Sequence, residues 1–403
     1  MPQLPSPIYL DSAASTPLRP EALEATRAHL HTTSAPGNPS GHYATARAAA
    51  EALEAAREAV AAVLNAMPEE IVFCSGGTES INAAIKGVAL AQREAGLGAH
   101  ILTSAVEHHA VLESAQWLAR LGFDIELLPV DAHGRVDPAE VAAAIRPDTV
   151  LVSVMYANNE VGAVQPIAQI AQAIRARGLE LRRRIPFHTD AVQAATALSL
   201  DVQALDVDLL SLSGHKFGGP TGTGVLYLRR GTPFLELISG GGQERQRRSG
   251  TEHVAGVAGL AAALTAAAAE RPVFTRTTEA LRARLLAGLR AVLPEAQIDG
   301  PENPAERLPH LLHFCVDGVE GESVVDALDR AGIEASAGAA CTSATWEPSH
   351  VLLAMNIPMQ LAIGSLRLSL WPHLTEADID AVIAALPNAV EAARTAALPN
   401  LAL

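Results

Sequence analysis

Hydrophobic and polar positions along this chain fall into two kinds of block that alternate. Short apolar runs come first in each pair: "IVFCSG" from residue 71, "HILTS" from 100, "DIELLPV" from 124, "TVLVSVMY" from 149 and "IPFHTDA" from 185. "VDLLSLS" from 207 and "GVLYLRR" from 224 complete the set. Runs this short, bounded by turn residues and lacking a polar face, predict strands covered on both sides. Between them lie blocks rich in Ala, Leu, Glu and Arg. Residues 44–64 predict a long helix, residues 78–96 a second one that opens at Thr78 and Glu79 and ends at Gly96, and others start at His109, Pro138 and Pro166. Strands alternating with helices imply right-handed crossovers and a mostly parallel sheet, hence an α/β architecture.

The pattern changes after residue 254. Ala/Leu/Arg-rich helical sequence runs to about 292, followed by a smaller α+β pattern: a helix over 321–331, the segment "IEASAGAACTSA", a helix near 348–355, the strand "GSLRLSL" and a last helix from 375. The expected organisation is a large domain over 18–262 and a small one formed by 1–17 and 263–403, joined by a helix that crosses between them.

Composition narrows the function classes. Aromatic residues are 3% of 403, so aliphatic side chains must fill the interior. A net charge of −15 argues against nucleic acid or an anionic membrane as a main partner. The Ala-rich runs near 255–269 read as too weakly apolar to span a bilayer, and the first residues show no basic-then-apolar signal pattern. Cys74, Cys315 and Cys341 are far apart and form no CxxC pair. That usage predicts a reducing cytoplasm and no disulfide framework or metal site.

In such sheets, ligands bind beyond the carboxyl ends of strands, against helix N-termini. Five sequence features fall there. "SGGTES" (75–80) supplies two glycines and a hydroxyl for a phosphate; "EHHAV" (107–111) supplies rings; "MYANNEVG" (155–162) supplies amides; "HTDAVQ" places Asp190 and Gln193; and "SLSGHKFGGPTG" (211–222) places Lys216 beside Ser213 and His215. Taken singly, each has a plain reading: a turn, a cap, a solvated lysine. Together they make the set that pyridoxal 5'-phosphate requires, in which a lysine amine condenses with the aldehyde, an acid faces the pyridine nitrogen, and a helix N-terminus holds the phosphate.

The chain resembles the cysteine desulfurases that serve iron–sulfur cluster assembly, a group of the class V aminotransferase family. "IYLDSAASTP", "GNPS", "SGGTES", "EHHAV", "NNEVG", "HTDAVQ", "SGHKFGGPTGTGVLY", "GGGQERQRRSGTEHVAG", "VEGES", "SAGAACTSA", "EPSHVLLAM" and "GSLRLSL" carry the resemblance in a fixed order along nearly the whole chain. It implies a fold-type I pyridoxal-phosphate transferase with a sheet of the seven-stranded type, and a homodimer. Lys216 would hold the cofactor and move protons at the substrate Cα, Asp190 would pair with the ring nitrogen, and Gln193 would bond the ring hydroxyl. His108 would stack on the ring, and Gly77, Thr78, Ser213 and His215 would surround the phosphate. Thr251 would reach the phosphate of the neighbouring subunit. Asn159 and Arg367 would hold the carboxylate of L-cysteine, with Asn38 nearby. Cys341 would be the nucleophile that takes the sulfur and becomes a persulfide, for delivery to an iron–sulfur scaffold or a tRNA-thiolating enzyme. Without the resemblance, Arg367 reads as a surface arginine on an edge strand, and Cys74 and Cys315 read as packing. The alternatives are a selenocysteine lyase, another class V aminotransferase, or a sulfur carrier without catalysis. "AGAAC", "WPHLT" and "GNPSGHYATARAA" depart from the usual family pattern.

Overall fold

The structure, a computed structural model, describes residues 7–30, 37–338 and 348–397. Its centre is a seven-stranded sheet in the spatial order Ile71–Cys74, Gly224–Leu228, Leu209–Ser213, Phe187–Asp190, Thr149–Ser153, His100–Ser104, Asp124–Leu128. Each apolar run named above supplies one of these strands. Gly224–Leu228 is antiparallel to both neighbours, and all other pairings are parallel. The reason is connection length: parallel neighbours need a helix-sized crossover, whereas a short loop from Ser213 to Gly224 can only turn the chain back. The six other strands are wholly buried, but Asp124–Leu128 at the edge exposes Asp124 and Leu127. A charged, half-wet edge discourages pairing with another chain.

Helices cover both faces. Ala44–Leu64, Ile167–Glu180 and the first part of Val254–Val292 pack on one side, through Val60, Ile170, Ile174, Leu260 and Leu264. Gly77–Glu94 and His109–Ala119 pack on the other, through Ile81, Ile85, Val88 and Val111.

A second sheet, of four antiparallel strands, has the order Ser336–Ala337, Ser365–Ser369, Leu311–Cys315, Gln297–Asp299. Its two faces differ because side chains alternate along a strand. Leu312, Phe314, Leu366 and Leu368 enter an apolar cluster with Val324 and Leu328 of Gly321–Arg330, and with Ile379, Val382 and Leu386 of Glu376–Ala397. The opposite face carries His313, Cys315, Ser365 and Arg367, all buried. Residues Ile8–Tyr9 form a parallel two-stranded pair with Ile333–Glu334, and Leu10 joins the same apolar cluster.

The helical stretch expected from 254 to 292 is one helix, Val254–Val292, with Pro272 inside it. Its first part belongs to the large-sheet core and its second part, through Leu281, Leu285 and Leu289, to the small-sheet core. By length and composition it is apolar enough to cross a membrane, contrary to the sequence expectation. Alanine explains both observations: it raises the hydropathy of the whole helix, while half of the most apolar window is buried against neighbouring elements. Those neighbours are Pro20–Leu30, Ala44–Leu64 and Glu376–Ala397. Half of that window therefore has protein where a membrane span would meet lipid.

Candidate active site

Strand Leu209–Ser213 ends in a single tight turn, Gly214–Lys216. Glycine is needed at its first position: a Cβ on Gly214 would lie 2.3 Å from Thr223 Oγ1 and 2.9 Å from the Pro220 carbonyl oxygen. The turn throws Lys216 back toward the amino-terminal segment. There Nζ donates to the carbonyl oxygens of Ala13 at 2.6 Å and Ala14 at 2.8 Å. Gln193 Nε2 donates to the same Ala13 oxygen at 2.9 Å, and Thr16 bonds the His215 carbonyl through both its amide and its hydroxyl. Lys216 is thus bound rather than solvated.

Asp190 closes the next strand and is 4% exposed. Its Oδ1 accepts from the Val192 amide at 2.9 Å. Burial raises its carboxyl to about 6, against the opposing pull of that amide and of Lys216. His108 caps the helix His109–Ala119: its Nδ1 accepts from the Ala110 amide at 3.0 Å, which leaves the ring proton on Nε2. Burial first, then the charge of Lys216, lowers His108 to about 4, and the same two causes lower His215 to about 4. One ammonium therefore acts electrostatically on Asp190, His108 and His215, which places all four groups in one site. Glu107, next to His108, is fully buried and raised to about 8 by that burial. Its Oε1 accepts from Ser104 Oγ at 2.6 Å and the Met155 amide at 2.8 Å. Glu107 stands inside the quoted "EHHAV", where the sequence reading assigns a role only to the rings.

The opposite end of the site is the start of helix Gly77–Glu94. A Cβ on Gly77 would meet Val192 Cγ2 at 3.0 Å and Ser213 Cβ at 3.2 Å, so the Gly-Gly turn lies against both the Asp190 strand end and Ser213. Thr78 is exposed at the helix mouth. Gly224 holds the turn from below, since a Cβ there would sit 2.6 Å from the Gly76 carbonyl carbon. Gly224→Ala should push that turn outward. We expect a loss of about 1–3 kcal/mol in stability and weaker retention of a phosphate-bearing ligand, read by thermal melts and equilibrium dialysis. Unchanged retention would mean that the turn does not hold the phosphate.

Arg367 lies on an interior strand and is 3% exposed, so the edge-strand surface reading is wrong. It donates from Nη2 to Asp11 Oδ1 at 2.7 Å and from Nη1 to the Asn159 carbonyl at 3.1 Å. Its Nε is buried without a partner among the described residues. A buried guanidinium with a spare donor suits a carboxylate ligand. Asp11 was missed in the sequence; the only signal was an acid inside the quoted "IYLDSAAS". Asn38 and Thr251 are exposed, and Asn38 Oδ1 accepts only locally, from the Ser40 amide at 3.0 Å. Cys341 lies outside the described residues. Cys74 is buried in its strand, which pushes its thiol well up. Cys315 is buried too, but its thiol donates to Asp299 Oδ2 at 3.2 Å, so packing does not fully describe it.

These residues fit pyridoxal 5'-phosphate. A buried carboxylate that burial drives toward neutrality gains most from a cationic N–H partner such as a pyridinium. A neutral imidazole presents a flat face, and the glycine turn and helix N-terminus suit a phosphate. The carboxyl also yields a test without cofactor. Its folded value of about 6 lies above the unfolded value of about 3.9. Its contribution to stability is therefore fully present below about pH 4 and is lost as pH rises through 6. Cofactor-free Asp190→Asn should gain on cofactor-free wild type between pH 4 and pH 8, by an amount on the order of 3 kcal/mol. A stability difference that is the same at both ends of that range would contradict the assignment.

A profile for "Aminotransferase class-V" matches residues 8–382. The chain belongs to this family. Within it, the chain is 45% identical over 387 residues to a cysteine desulfurase IscS of Methanosarcina thermophila, covering 96% of this chain and 93% of that one. It is 43% identical over 394 residues to an IscS-like cysteine desulfurase of Mycobacterium tuberculosis, covering 97% and 98%. These relatives put it in the cysteine desulfurase group of the family. Among solved structures, a NifS-like protein superposes with a TM-score of 0.88 at 34% identity, over 96% of this chain and 99% of that one. A structure of SspA in complex with cysteine gives a TM-score of 0.75 at 35% identity, over 91% and 99%. In this desulfurase-family fold, the sheet edge that gathers Lys216, Asp190 and His108 is the candidate active site.

Proposed function

We propose that this cysteine desulfurase uses pyridoxal 5'-phosphate to take sulfur from L-cysteine, releasing L-alanine and leaving a persulfide on Cys341. The observation that carries the reading is the shared influence of Lys216 on Asp190 and His108 at one sheet edge. When bound, the cofactor supplies an electron sink for negative charge at the substrate Cα.

The chain's own residues do the rest. Asp190 supplies the anion opposite the ring nitrogen, His108 offers its neutral face, and the Gly76–Gly77 turn with Thr78, Ser213 and His215 holds the phosphate. Arg367, fixed by Asp11 and the Asn159 carbonyl, binds the substrate carboxylate and so orients the Cα–H bond toward Lys216. Lys216 takes that proton. The Cys341 thiolate attacks the substrate sulfur, the carbon–sulfur bond breaks, and the former Cβ takes up a proton to become the methyl group of alanine.

The reading includes a homodimer in which Thr251 completes the partner subunit's phosphate site, a cytoplasmic location, and an acceptor protein for the persulfide. Its exposed position in the loop after Gly250 supports a role for Thr251 outside its own subunit. A division into units 18–262 and 1–17 with 263–403 also belongs to it, supported by the distinct main clusters of the large and small sheets, which smaller clusters such as that of Met155 with Cys315 and Val351 join. The test is to supply L-cysteine with a thiol reductant and to quantify alanine and sulfide. Equal yields of the two support the desulfurase reading. Transfer of the amino group to a 2-oxo acid without sulfide would replace it with transamination.

A further inference from the structure

The polar face of the small sheet carries a cluster that the reaction above does not use. Strand register aligns Asp299, His313, Arg367 and Ser336 in one row across all four strands, and Gln297, Cys315 and Ser365 in the row beside it. Asp299, His313 and Cys315 have relative exposures of 6%, 1% and 0%. Asp299 Oδ2 accepts from His313 Nδ1 at 2.9 Å and from the Cys315 thiol at 3.2 Å, while Gln297 Nε2 donates to Oδ1 at 2.8 Å. One ligating atom from each of Asp299, His313 and Cys315 lies within 4.8 Å of the other two.

We propose that Asp299, His313 and Cys315 bind one divalent transition-metal cation of the zinc class. Three observations favour a cation over an inert hydrogen-bonded knot. First, a carboxylate, an imidazole and a thiolate are the mixed donor set of zinc and cobalt sites, not of calcium or magnesium. Second, one carboxylate, one thiolate and a neutral imidazole around a divalent cation sum to zero charge, which is what a buried site demands. Third, the scaffold is stiff. His313 and Cys315 are two apart on one strand face, and Asp299 is the direct cross-strand partner of His313. Gln297 already fixes the Asp299 oxygen that would not bind metal, as outer-shell partners do in metal sites.

Ligand atoms around tetrahedral zinc stand about 3.3–3.7 Å apart. The present 2.9 and 3.2 Å contacts lengthen slightly to reach that spacing, and the wider His313–Cys315 separation, within 4.8 Å, closes by side-chain rotation on one strand face. Binding breaks the Cys315 S–H bond and releases that proton to solvent. The His313 ring proton moves from Nδ1 to Nε2, which is buried without a partner among the described residues. No electron transfer is involved, and water takes the fourth position. The ion fastens the edge strand Gln297–Asp299 to the neighbouring strand Leu311–Cys315, which carries His313 and Cys315.

The experiment uses cofactor-loaded Cys341→Ser, so that a second candidate thiol does not compete, with Co²⁺ alone as the probe. After gel filtration, one Co²⁺ per chain should remain, with the intense red-region ligand-field bands of tetrahedral cobalt and a raised melting temperature. Adding Cys315→Ser or His313→Gln should reduce retention from one equivalent to none and abolish the bands. Absence of retained Co²⁺ in the Cys341→Ser protein would overturn the proposal, as would bands that survive both substitutions. His313→Gln can keep a hydrogen bond to Asp299, so it serves if Cys315→Ser fails to fold.

Discussion

Lys216→Ala should form no measurable alanine from L-cysteine while remaining folded. Proton transfer by a positioned side chain is worth about 10²–10⁴ in rate, and this substitution also removes the amine that holds the cofactor. The combined loss should exceed about 10⁴-fold. The cost to the fold is smaller. Lys216 donates to two backbone carbonyls, those of Ala13 and Ala14, and a net hydrogen bond contributes about 0.5–1.5 kcal/mol. A melting temperature a few degrees lower is expected, with intact circular dichroism. Lys216→Arg separates the two roles, since a guanidinium can still donate to those carbonyls but cannot replace the amine in the chemistry. It should recover the melting temperature without recovering turnover. Alanine formation at the wild-type rate in Lys216→Ala, with cofactor shown to be bound, would sink the assignment.

The second large effect belongs to Cys341. Cys341→Ser should bind pyridoxal phosphate normally, because no large-sheet residue around Lys216, Asp190 or His108 is altered. It should release no alanine, since a neutral hydroxyl is a far weaker nucleophile than a thiolate. In the wild type, a pulse of L-cysteine should add one sulfur to the peptide that contains Cys341. Peptides with Cys74 and Cys315 should be unmodified, because both side chains are buried away from substrate and, without a metal ion, burial pushes both thiols up and keeps them protonated. An added sulfur on Cys74 would refute the choice of nucleophile.

Much of this was legible in the sequence, for identifiable reasons. Buried parallel strands are continuous apolar runs, so "HILTS" and "TVLVS" mark His100–Ser104 and Thr149–Ser153 with no context needed. Lys216, Asp190 and His108 follow because each sits where a strand ends, the one place in such a fold where chemistry-bearing side chains gather. Backbone contacts are a different matter. Nothing in "DSAAS" announces that the carbonyls of two alanines hold the Lys216 amine, because alanine carries no chemical signal in its side chain. The alternation in "SLRLSL" puts Ser365, Arg367 and Ser369 on one face, and the edge-strand reading of Arg367 assigns that side to solvent. The structure buries it, and Arg367 with it. Register was the least legible feature. A search for metal ligands close in sequence passes over Asp299, His313 and Cys315, since only the pairing of two strands brings the acid opposite the imidazole.

The pairing of Ile8–Tyr9 with Ile333–Glu334 imposes an order of events during synthesis. Ile8 leaves the ribosome long before Ile333, so its partner strand does not yet exist when it emerges. All seven strands of the large sheet lie before residue 229 and can associate while translation continues. The small-sheet core must wait for Ser365–Ser369 and Glu376–Ala397. Asp11 acquires Arg367 only at that late stage. A nascent chain interrupted before Ile333 can thus hold a completed large sheet while Ile8–Tyr9 has nothing to pair with, so a segment made before that sheet finds its place after it.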